Sequence, residues 1–205
     1  RILREAGMPV ADGTLARDAE EAVAAWRAIG APVAMKGISD AVTHRAAAGL
    51  VALDLHDESA LRGAFARLSS TAQAAGIALD GAYVQRMVPD GTEIIVSALR
   101  DPVAGVVVSC GAGGGLTELI DDVTIARAPL DVASARIVLE RLRIVRGLAG
   151  RRRPPDIEAL ARFVADFSQL AACAPWRRFV IELNPVKWSQ EGVTAVDGLV
   201  IIEEC

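Results

Sequence analysis

The sequence predicts an α+β chain of two lobes. Strand-like and helix-like segments alternate through the first part, whereas the second part is rich in strands and carries its helices late. The character changes over residues 87–91, where Pro89 and Gly91 signal a turn. We therefore predict an N-terminal lobe over residues 1–88, which includes a short first helix, and a C-terminal lobe over residues 89–205.

In the N-terminal lobe, Asp18 and Asp57 are placed to cap two helices. An aspartate just before a periodic apolar segment accepts hydrogen bonds from the first free amides of a helix. Gly30 is placed to close the first of these helices. The predicted helices cover residues 2–7, 18–29 and 58–75, and the predicted strands cover residues 32–36, 50–55 and 83–88.

In the C-terminal lobe, two strands are joined by the turn sequence Arg100-Asp101-Pro102. A glycine-rich loop follows at residues 111–115, and Asp131 and Asp156 are placed to cap the two late helices. The predicted strands cover residues 93–99, 105–109, 179–183 and 193–202, and the predicted helices cover residues 131–142 and 156–172.

Composition excludes several classes of function. Apolar residues make up 52% of the 205 residues, yet no uninterrupted run reaches the ~18 residues that a spanning helix needs. The net charge of −4 does not indicate a nucleic-acid partner, and we interpret residues 151–153, all arginine, as a solvated loop. Three cysteines without CxxC spacing favour a reduced, cytoplasmic setting. Residues 1–12 show no signal peptide and suggest a piece of a longer polypeptide.

Two side chains of the N-terminal lobe are candidates for chemistry. Lys36 ends an apolar strand, from which its ammonium group can reach phosphate oxygens; the alternative is a lysine that extends into solvent at a strand end. His44 lies in a polar segment between two strands; a functional loop histidine and a surface histidine are both consistent with that position.

Two features of the C-terminal lobe complete the candidate site. The glycines at residues 111–115 can bring backbone amides close to a phosphate chain or form a plain turn, and neither a Walker loop nor a Rossmann fingerprint is present. Glu182, Asn184 and Asp197 are oxygen donors of the kind that Mg²⁺ prefers; polar strand ends at turns are the alternative. A cation, a glycine loop and a magnesium clamp together are what a nucleoside triphosphate requires.

The order and spacing of these segments resemble a known family, the ATP-grasp domain of ADP-forming acetyl-CoA synthetases. More distantly, the chain is similar to the β subunit of succinyl-CoA synthetase. The similarity covers almost the whole chain and is carried by residues 1–36, by GAYVQRMVPDGTEIIVSALRDPVAGVVVSCGAGGGLTELIDDV at residues 81–123, and by IELNPVKWSQEGVTAVDGLVII at residues 181–202. The resemblance implies an ATP-grasp fold, with a nucleotide cleft between two α/β lobes.

The resemblance also implies roles for particular residues. Lys36 would contact the nucleotide phosphates, and Asn184 and Asp197 would hold Mg²⁺, with Glu182 close behind. His44 would act as a phosphoryl carrier between the nucleotide and a phosphohistidine on a partner domain. The remaining residues implied to bind ATP or ADP are Gln85, Met87 and Val88 in the hinge, Glu93 in the cleft, and Gly113, Gly114 and Gly115 near the phosphates.

The chain departs from the family pattern in two places. The family loop around the histidine reads SPDIxHKxDxGGV, whereas here Arg45 replaces the lysine, and the proline, the acid and one glycine are missing. Ala126 stands where the family's FRLAPL segment has arginine. These departures bear on phosphoryl relay through His44 more than on nucleotide binding.

As a function, the resemblance implies an acid–thiol ligase that forms ADP and acts as part of a larger protein. CoA-binding and CoA-ligase domains of the same or a partner chain would handle the acyl-CoA, which is an indirect substrate of this domain. The resemblance also allows a homo-oligomer. One alternative is a regulatory nucleotide-binding domain fused to an acetyltransferase. Another is a carboxylate–amine ligase, against which the ending NPV…VDG argues.

Overall fold

The computed structural model describes residues 2–30, 32–42, 45–88, 91–114 and 121–203. The chain divides into two compact units: Ala11–Val88 forms one, and Arg1–Val10 with Pro89–Cys205 forms the other. Sequence reasoning placed the first helix in the N-terminal lobe, whereas residues 1–10 group with the C-terminal unit. The reason is local: Met8 packs in that unit's core, and the Ala195 amide donates to Pro9 O. The lobes of residues 1–88 and 89–205 stay a prediction.

The N-terminal unit is a four-stranded antiparallel sheet with two helices. The strands are β1 (Gly13–Ala16), β2 (Val33–Ile38), β3 (Val51–Leu55) and β4 (Gly81–Arg86), in the order β1-β4-β2-β3. The helices are α2 (Ala19–Ile29) and α3 (Glu58–Ala74). Their apolar faces pack on the sheet around Val33, Met35 and Val84, all fully buried. Sequence reasoning placed a strand or turn entry at residues 8–13, whereas β1 begins at Gly13 and pairs along β4.

The C-terminal unit is a six-stranded antiparallel sheet with helices packed on one face. Five strands follow the order β10-β8-β5-β6-β7, and β9 pairs with β8. The strands are β5 (Thr92–Asp101), β6 (Gly105–Ala112), β7 (Val123–Arg127), β8 (Phe179–Trp188), β9 (Val193–Ala195) and β10 (Gly198–Ile202). The helices are α1 (Ile2–Glu5), α4 (Val132–Leu139), α5 (Arg143–Ala149) and α6 (Ile157–Ala172).

Alternation along β5 separates the two faces of this sheet. Ile94, Val96 and Ala98 are buried in the core with residues of α4 and α6. Residues at the odd positions, including Glu93 and Ser97, therefore point to the opposite face, because successive side chains of a strand alternate. That opposite face carries the candidate site of this unit.

Several boundaries predicted from sequence were wrong. The glycine-rich segment was predicted as a loop from residue 111, but Gly111 and Ala112 are the last residues of β6. The predicted strand over 193–202 is two strands, interrupted at Val196 and Asp197. The helix that Asp131 caps ends at Leu139 rather than near residue 142, and α5 and β7 were missed. No helix in the described part of the chain has the length and apolar character to cross a membrane.

Candidate nucleotide site

The end of β6 comes very close to the start of β5. The Gly113 amide donates to Glu93 O at 2.8 Å. A Cβ on Gly113 would lie 2.4 Å from the carbonyl carbon of Ile94, and one on Gly114 would lie 1.6 Å from Glu93 Oε2. Gly114 also has φ of 68°, in the left-handed region. Both positions therefore require glycine. Gly115, also predicted to bind nucleotide, lies outside the described residues.

A β-bulge places Asn184 against this glycine segment. Ile94 pairs with Val186 and Val96 with Leu183, so β5 has one residue between these pairs and β8 has two, Asn184 and Pro185. A bulge of this kind re-aims a side chain relative to regular alternation. The Asn184 Oδ1 atom accepts a hydrogen bond from the Gly114 amide at 2.9 Å, although the two residues are 70 positions apart in sequence.

Asp197 is held beside Asn184 by backbone contacts. The Asn184 amide donates to Asp197 O at 3.1 Å, and the Gly198 amide donates to Asp197 Oδ1 at 2.9 Å. The break between β9 and β10 thus puts Asp197 next to the bulge of β8. The structure brings the predicted amide and acid together, but Asn184 lies at the bulge within β8 rather than at a strand end.

Lys187 is a site residue that sequence reasoning missed. It lies directly opposite Glu93 in the β5–β8 register, and its Nζ atom is 2.8 Å from Glu93 Oε1. The side chains are 20% and 34% exposed, so the ion pair is partly withdrawn from water. The chain contains just two lysines, Lys36 and Lys187. A lone lysine three residues after Asn184 was the available signal, but it cannot name the partner without the register.

Glu182 lies on the same face of the sheet, farther along β8. It is half-buried and sits opposite Ser97 on β5 and Leu199 on β10. Ser97 Oγ in turn lies 2.7 Å from Ser109 Oγ on β6. A polar row therefore crosses the sheet from Glu182, next to the Asn184–Asp197 pair.

The N-terminal unit holds the other predicted residues. Lys36 on β2 is 7% exposed and lies opposite Tyr83 on β4 and Val51 on β3, which does not fit a lysine extended into solvent. Gln85 on β4 is buried. The Met87 amide donates to Pro32 O at 2.9 Å, and Met87 and Val88 are half-buried. His44 lies outside the described residues.

Asn184 and Asp197 together offer an amide oxygen and a carboxylate, which are donor types that Mg²⁺ accepts. Glu93 is paired with Lys187, and Glu182 lies farther along β8. Mg²⁺ is usually bound by one or two carboxylates together with water and substrate phosphates. Among the described residues there is no cluster of three or more His, Cys, Asp or Glu side chains placed to hold a metal ion.

Two antiparallel sheets packed with helices place the chain in the α+β class, and the glycine-lined strand end beside Asn184 and Asp197 is a candidate nucleotide site. Residues 1–202 match the ATP-grasp domain family, and the chain belongs to that family. It is 34% identical to the β subunit of ADP-forming acetate–CoA ligase I from Pyrococcus furiosus, over 98% of this chain and 88% of that one.

Other relatives are longer proteins or solved structures. The chain is 38% identical to a trans-feruloyl-CoA synthase of an unknown prokaryotic organism, over 98% of this chain but 29% of that protein's length. Acetyl-coenzyme A synthetase 1 from Candidatus Korarchaeum cryptofilum, in complex with coenzyme A and Ca-AMPCP, superposes with a TM-score of 0.92 at 31% identity. The alignment covers 98% of this chain and 89% of that one. The predicted resemblance and the ATP-grasp fold are therefore confirmed.

Proposed function

We propose that this chain is the nucleotide-binding domain of an ADP-forming acyl-CoA synthetase. It binds ATP or ADP with Mg²⁺ and transfers a phosphoryl group between the nucleotide and a phosphohistidine. The observation that carries this proposal is the contact between Gly114 and Asn184, which joins the glycine segment to the amide–acid pair across 70 residues of sequence. Such a junction puts a backbone that a phosphate chain can approach closely next to oxygen ligands for a metal.

In this proposal the residues of the C-terminal unit bind the metal and the phosphates. Asn184 and Asp197 hold Mg²⁺, which neutralises charge on the phosphate oxygens when it is bound. Gly113, Gly114 and Gly115 lie near the phosphate chain in this proposal, because glycine allows the backbone to approach closely. The Gly113 and Gly114 amides already donate to Glu93 O and Asn184 Oδ1, so these two glycines shape the phosphate site rather than donate to it. Glu93, which is paired with Lys187, fixes the position of the glycine segment because its backbone carbonyl accepts the Gly113 amide.

The N-terminal unit contributes Lys36, Gln85, Met87 and Val88. Lys36 donates to phosphate oxygens from a buried position on β2, where the strand restricts its side chain. Gln85, Met87 and Val88 line the adenine, and because the Met87 amide already donates to Pro32 O, the carbonyl groups and the Val88 amide carry the base contacts.

His44 is proposed as the phosphoryl carrier. In the direction of ATP synthesis, the P–N bond of a phosphohistidine on the partner domain breaks, and the phosphoryl group moves to His44. The P–N bond at His44 then breaks as a P–O bond forms to the β-phosphate of ADP. The acyl group and coenzyme A stay on CoA-binding and CoA-ligase domains of the same or a partner chain.

The relatives support this assignment. Acetyl-coenzyme A synthetase 1 of Candidatus Korarchaeum cryptofilum has been solved with coenzyme A and Mg-AMPPCP, with its phosphohistidine segment pointing towards the nucleotide-binding site. That structure is 30% identical to this chain, with a TM-score of 0.84 and 98% of this chain covered.

Free Cys110 and Cys173 support a reducing, cytoplasmic compartment.

The first experiment is thermal unfolding with and without Mg·ATP. A ligand at roughly 100 times its Kd stabilises the chain by about 2.7 kcal/mol. We expect a magnesium-dependent rise in Tm that Lys36→Ala and Asn184→Ala reduce. Arg162→Ala, an exposed change of charge on α6, leaves the rise intact. The proposal fails if no adenine nucleotide stabilises the wild-type chain, or if Lys36→Ala and Arg162→Ala respond alike.

A further inference from the structure

A pocket of about 660 Å³ lies in the C-terminal unit at the turn between β5 and β6. It is lined by Arg100, Asp101, Gly105, Arg177, Arg178 and Glu203. Glu93 is seven residues earlier on β5, which is about 23 Å along an extended strand. The pocket is therefore at the other end of β5 from the candidate nucleotide site.

Arg100 is fixed at the wall of this pocket without a carboxylate partner. Its guanidinium carbon lies 5.4 Å from the centre of the Phe179 ring, which itself packs edge-on against Trp176. One terminal nitrogen donates to Ala174 O at 2.8 Å. The Nε atom is buried and meets no hydrogen-bond acceptor. A partly buried guanidinium normally has a carboxylate partner, because burying an unpaired charge is costly.

Asp101, which follows Arg100 in sequence, uses its carboxylate to accept backbone amides of the turn. Asp101 Oδ1 accepts from the Ala104 amide at 2.6 Å and the Val103 amide at 2.8 Å. These two hydrogen bonds, the one from Ala104 first, lower the pKa of Asp101, so the carboxylate is charged and serves the turn. Within the described ranges, Arg100 makes no ion pair with Asp101 or any other acid.

Further guanidinium groups surround Arg100. Arg178 pairs with Glu203 at 3.2 Å, whereas Arg177 forms no ion pair within the part of the chain that the structure describes. Arg127 on β7 reaches the rim, because a Cβ added to Gly105 would lie 3.9 Å from its Nη2 atom. Four guanidinium groups therefore outnumber two carboxylates by two, in a chain whose net charge is −4.

The geometry points to a second anion site in this pocket, one that binds a phosphate group as a dianion. Arginine is suited to this ligand, because its planar fork offers several donors and is always charged. Arg100 supplies a preorganised donor, since Phe179 and Ala174 O already hold its plane. Arg177 and Arg127 supply exposed cations from the rim. The pocket volume leaves room for an organic body attached to the phosphate.

The site is tested by NMR titration of the ¹⁵N-labelled full chain with inorganic phosphate at constant ionic strength. We expect saturable shifts of the Val103, Ala104 and Gly105 amides and of the Arg100 side-chain Nε–H signal. Ribose 5-phosphate and acetate are titrated in parallel. Tighter binding of ribose 5-phosphate indicates an organic phosphate as the source, and tighter binding of inorganic phosphate indicates the free ion. Acetate that binds as tightly as phosphate overturns the assignment of a dianion.

Variants decide whether the arginines are responsible. Arg177→Gln should weaken phosphate binding about tenfold, because a hydrogen bond to a charged group is lost. Arg162→Gln removes the same charge from the same unit and should leave binding unchanged. Arg177 is exposed, so its substitution does not threaten folding. Arg100→Lys keeps the positive charge but removes the planar guanidinium, so it tests whether that geometry is needed for phosphate binding. Unsaturable shifts, or equal binding by Arg177→Gln and wild type, refute the site.

This inference is independent of the proposed nucleotide function. The titration is repeated with Lys36→Ala, whose phosphate response at residues 103–105 should match that of the wild type. If Mg·ATP fails to stabilise the chain while the turn amides still titrate, the nucleotide proposal falls and the anion site stands. If the reverse is observed, the anion site falls alone.

Discussion

Glu93 and Lys187 face each other across β5 and β8 and form an ion pair of 2.8 Å. The same glutamate accepts the Gly113 amide through its backbone carbonyl, and its Oε2 atom occupies the space where a Cβ of residue 114 would lie. One acidic residue thus connects the glycine segment to the β8 strand that carries Asn184. The charge of Lys187 is therefore part of the candidate site, although sequence reasoning had named Glu93 alone.

Lys187→Met should weaken Mg·ATP binding about tenfold. The substitution leaves the Glu93 carboxylate without its cation, and a partly buried unpaired carboxylate repels the phosphates that are proposed to lie near the glycine segment. Calorimetric titration of the folded variant with Mg·ATP measures the change. Lys187→Arg keeps the charge and should bind within a few-fold of wild type.

The double variant Glu93→Gln, Lys187→Met is the matched control. It removes both charges, so it should bind Mg·ATP better than Lys187→Met alone, with a coupling on the order of 1 kcal/mol. Wild-type affinity in the Lys187→Met variant would show that the ion pair has no part in nucleotide binding.

Gly114→Ala should abolish stabilisation by Mg·ATP. Residue 114 has φ of 68°, where a side chain is strained, and the new Cβ must displace the Glu93 carboxylate. The change therefore perturbs both the glycine segment and the Glu93–Lys187 pair. Thermal unfolding with and without nucleotide separates loss of binding from loss of stability.

Gly147→Ala is the comparison for this substitution. Gly147 lies within α5, and an added Cβ there meets nothing within 4 Å. The helix should gain about 0.5–1 kcal/mol in unfolding free energy, and nucleotide stabilisation should be unaffected. If both variants respond equally to Mg·ATP, close approach at residue 114 does not matter for the site.

The features that sequence reasoning predicted correctly are those with local causes. The predicted caps Asp18, Asp57, Asp131 and Asp156 each accept the amide three residues later, as the capping rule requires. Gly30 closes α2 with φ of 66°. These contacts span a few residues, so a single sequence contains all the information they need.

The features that were missed depend on register or on distant partners. Two residues of β8, Asn184 and Pro185, lie opposite the one residue of β5 between Ile94 and Val96. The sequence of either strand alone does not predict this pairing. Lys187 becomes a site residue through the same register. The residues of the candidate site were identified by type and family pattern, whereas the contacts that join them required the structure.

Asp122→Ala should destabilise the chain by about 2 kcal/mol. Helix α5 has no side-chain cap from its own N-cap residue, Leu142. Asp122 serves instead: it is 5% exposed, and its two oxygens accept from the Arg143 and Ile144 amides, each at 2.8 Å. Removal leaves two partly buried amides without their acceptor. Urea unfolding measures the loss, and an unchanged m-value shows that the fold is retained.

The neighbouring residue provides the control for that prediction. Asp121 is exposed, and it contacts Arg143 through its backbone carbonyl rather than its carboxylate. Asp121→Ala removes the same charge and should cost less than about 0.5 kcal/mol, as surface substitutions usually do. Equal losses in the two variants would rule out remote capping of α5 by Asp122.

Cys110 should resist alkylation at pH 8 while Cys173 reacts. Burial on β6 raises the pKa of the Cys110 thiol from 9.0 to about 12, so almost no thiolate is present in the folded chain, whereas Cys173 is exposed. In a Cys205→Ser background, mass spectrometry should find one iodoacetamide adduct on the native chain and two after urea unfolding. Rapid native labelling of Cys110 would contradict its burial.

The buried Cys110 thiol should also make stability depend on pH. Because its folded pKa lies above the unfolded value, the unfolding free energy that is linked to Cys110 is at its full value below about pH 9 and declines as pH rises towards 12. Cys110→Ala should therefore flatten the fall in the urea midpoint between pH 8 and about pH 10.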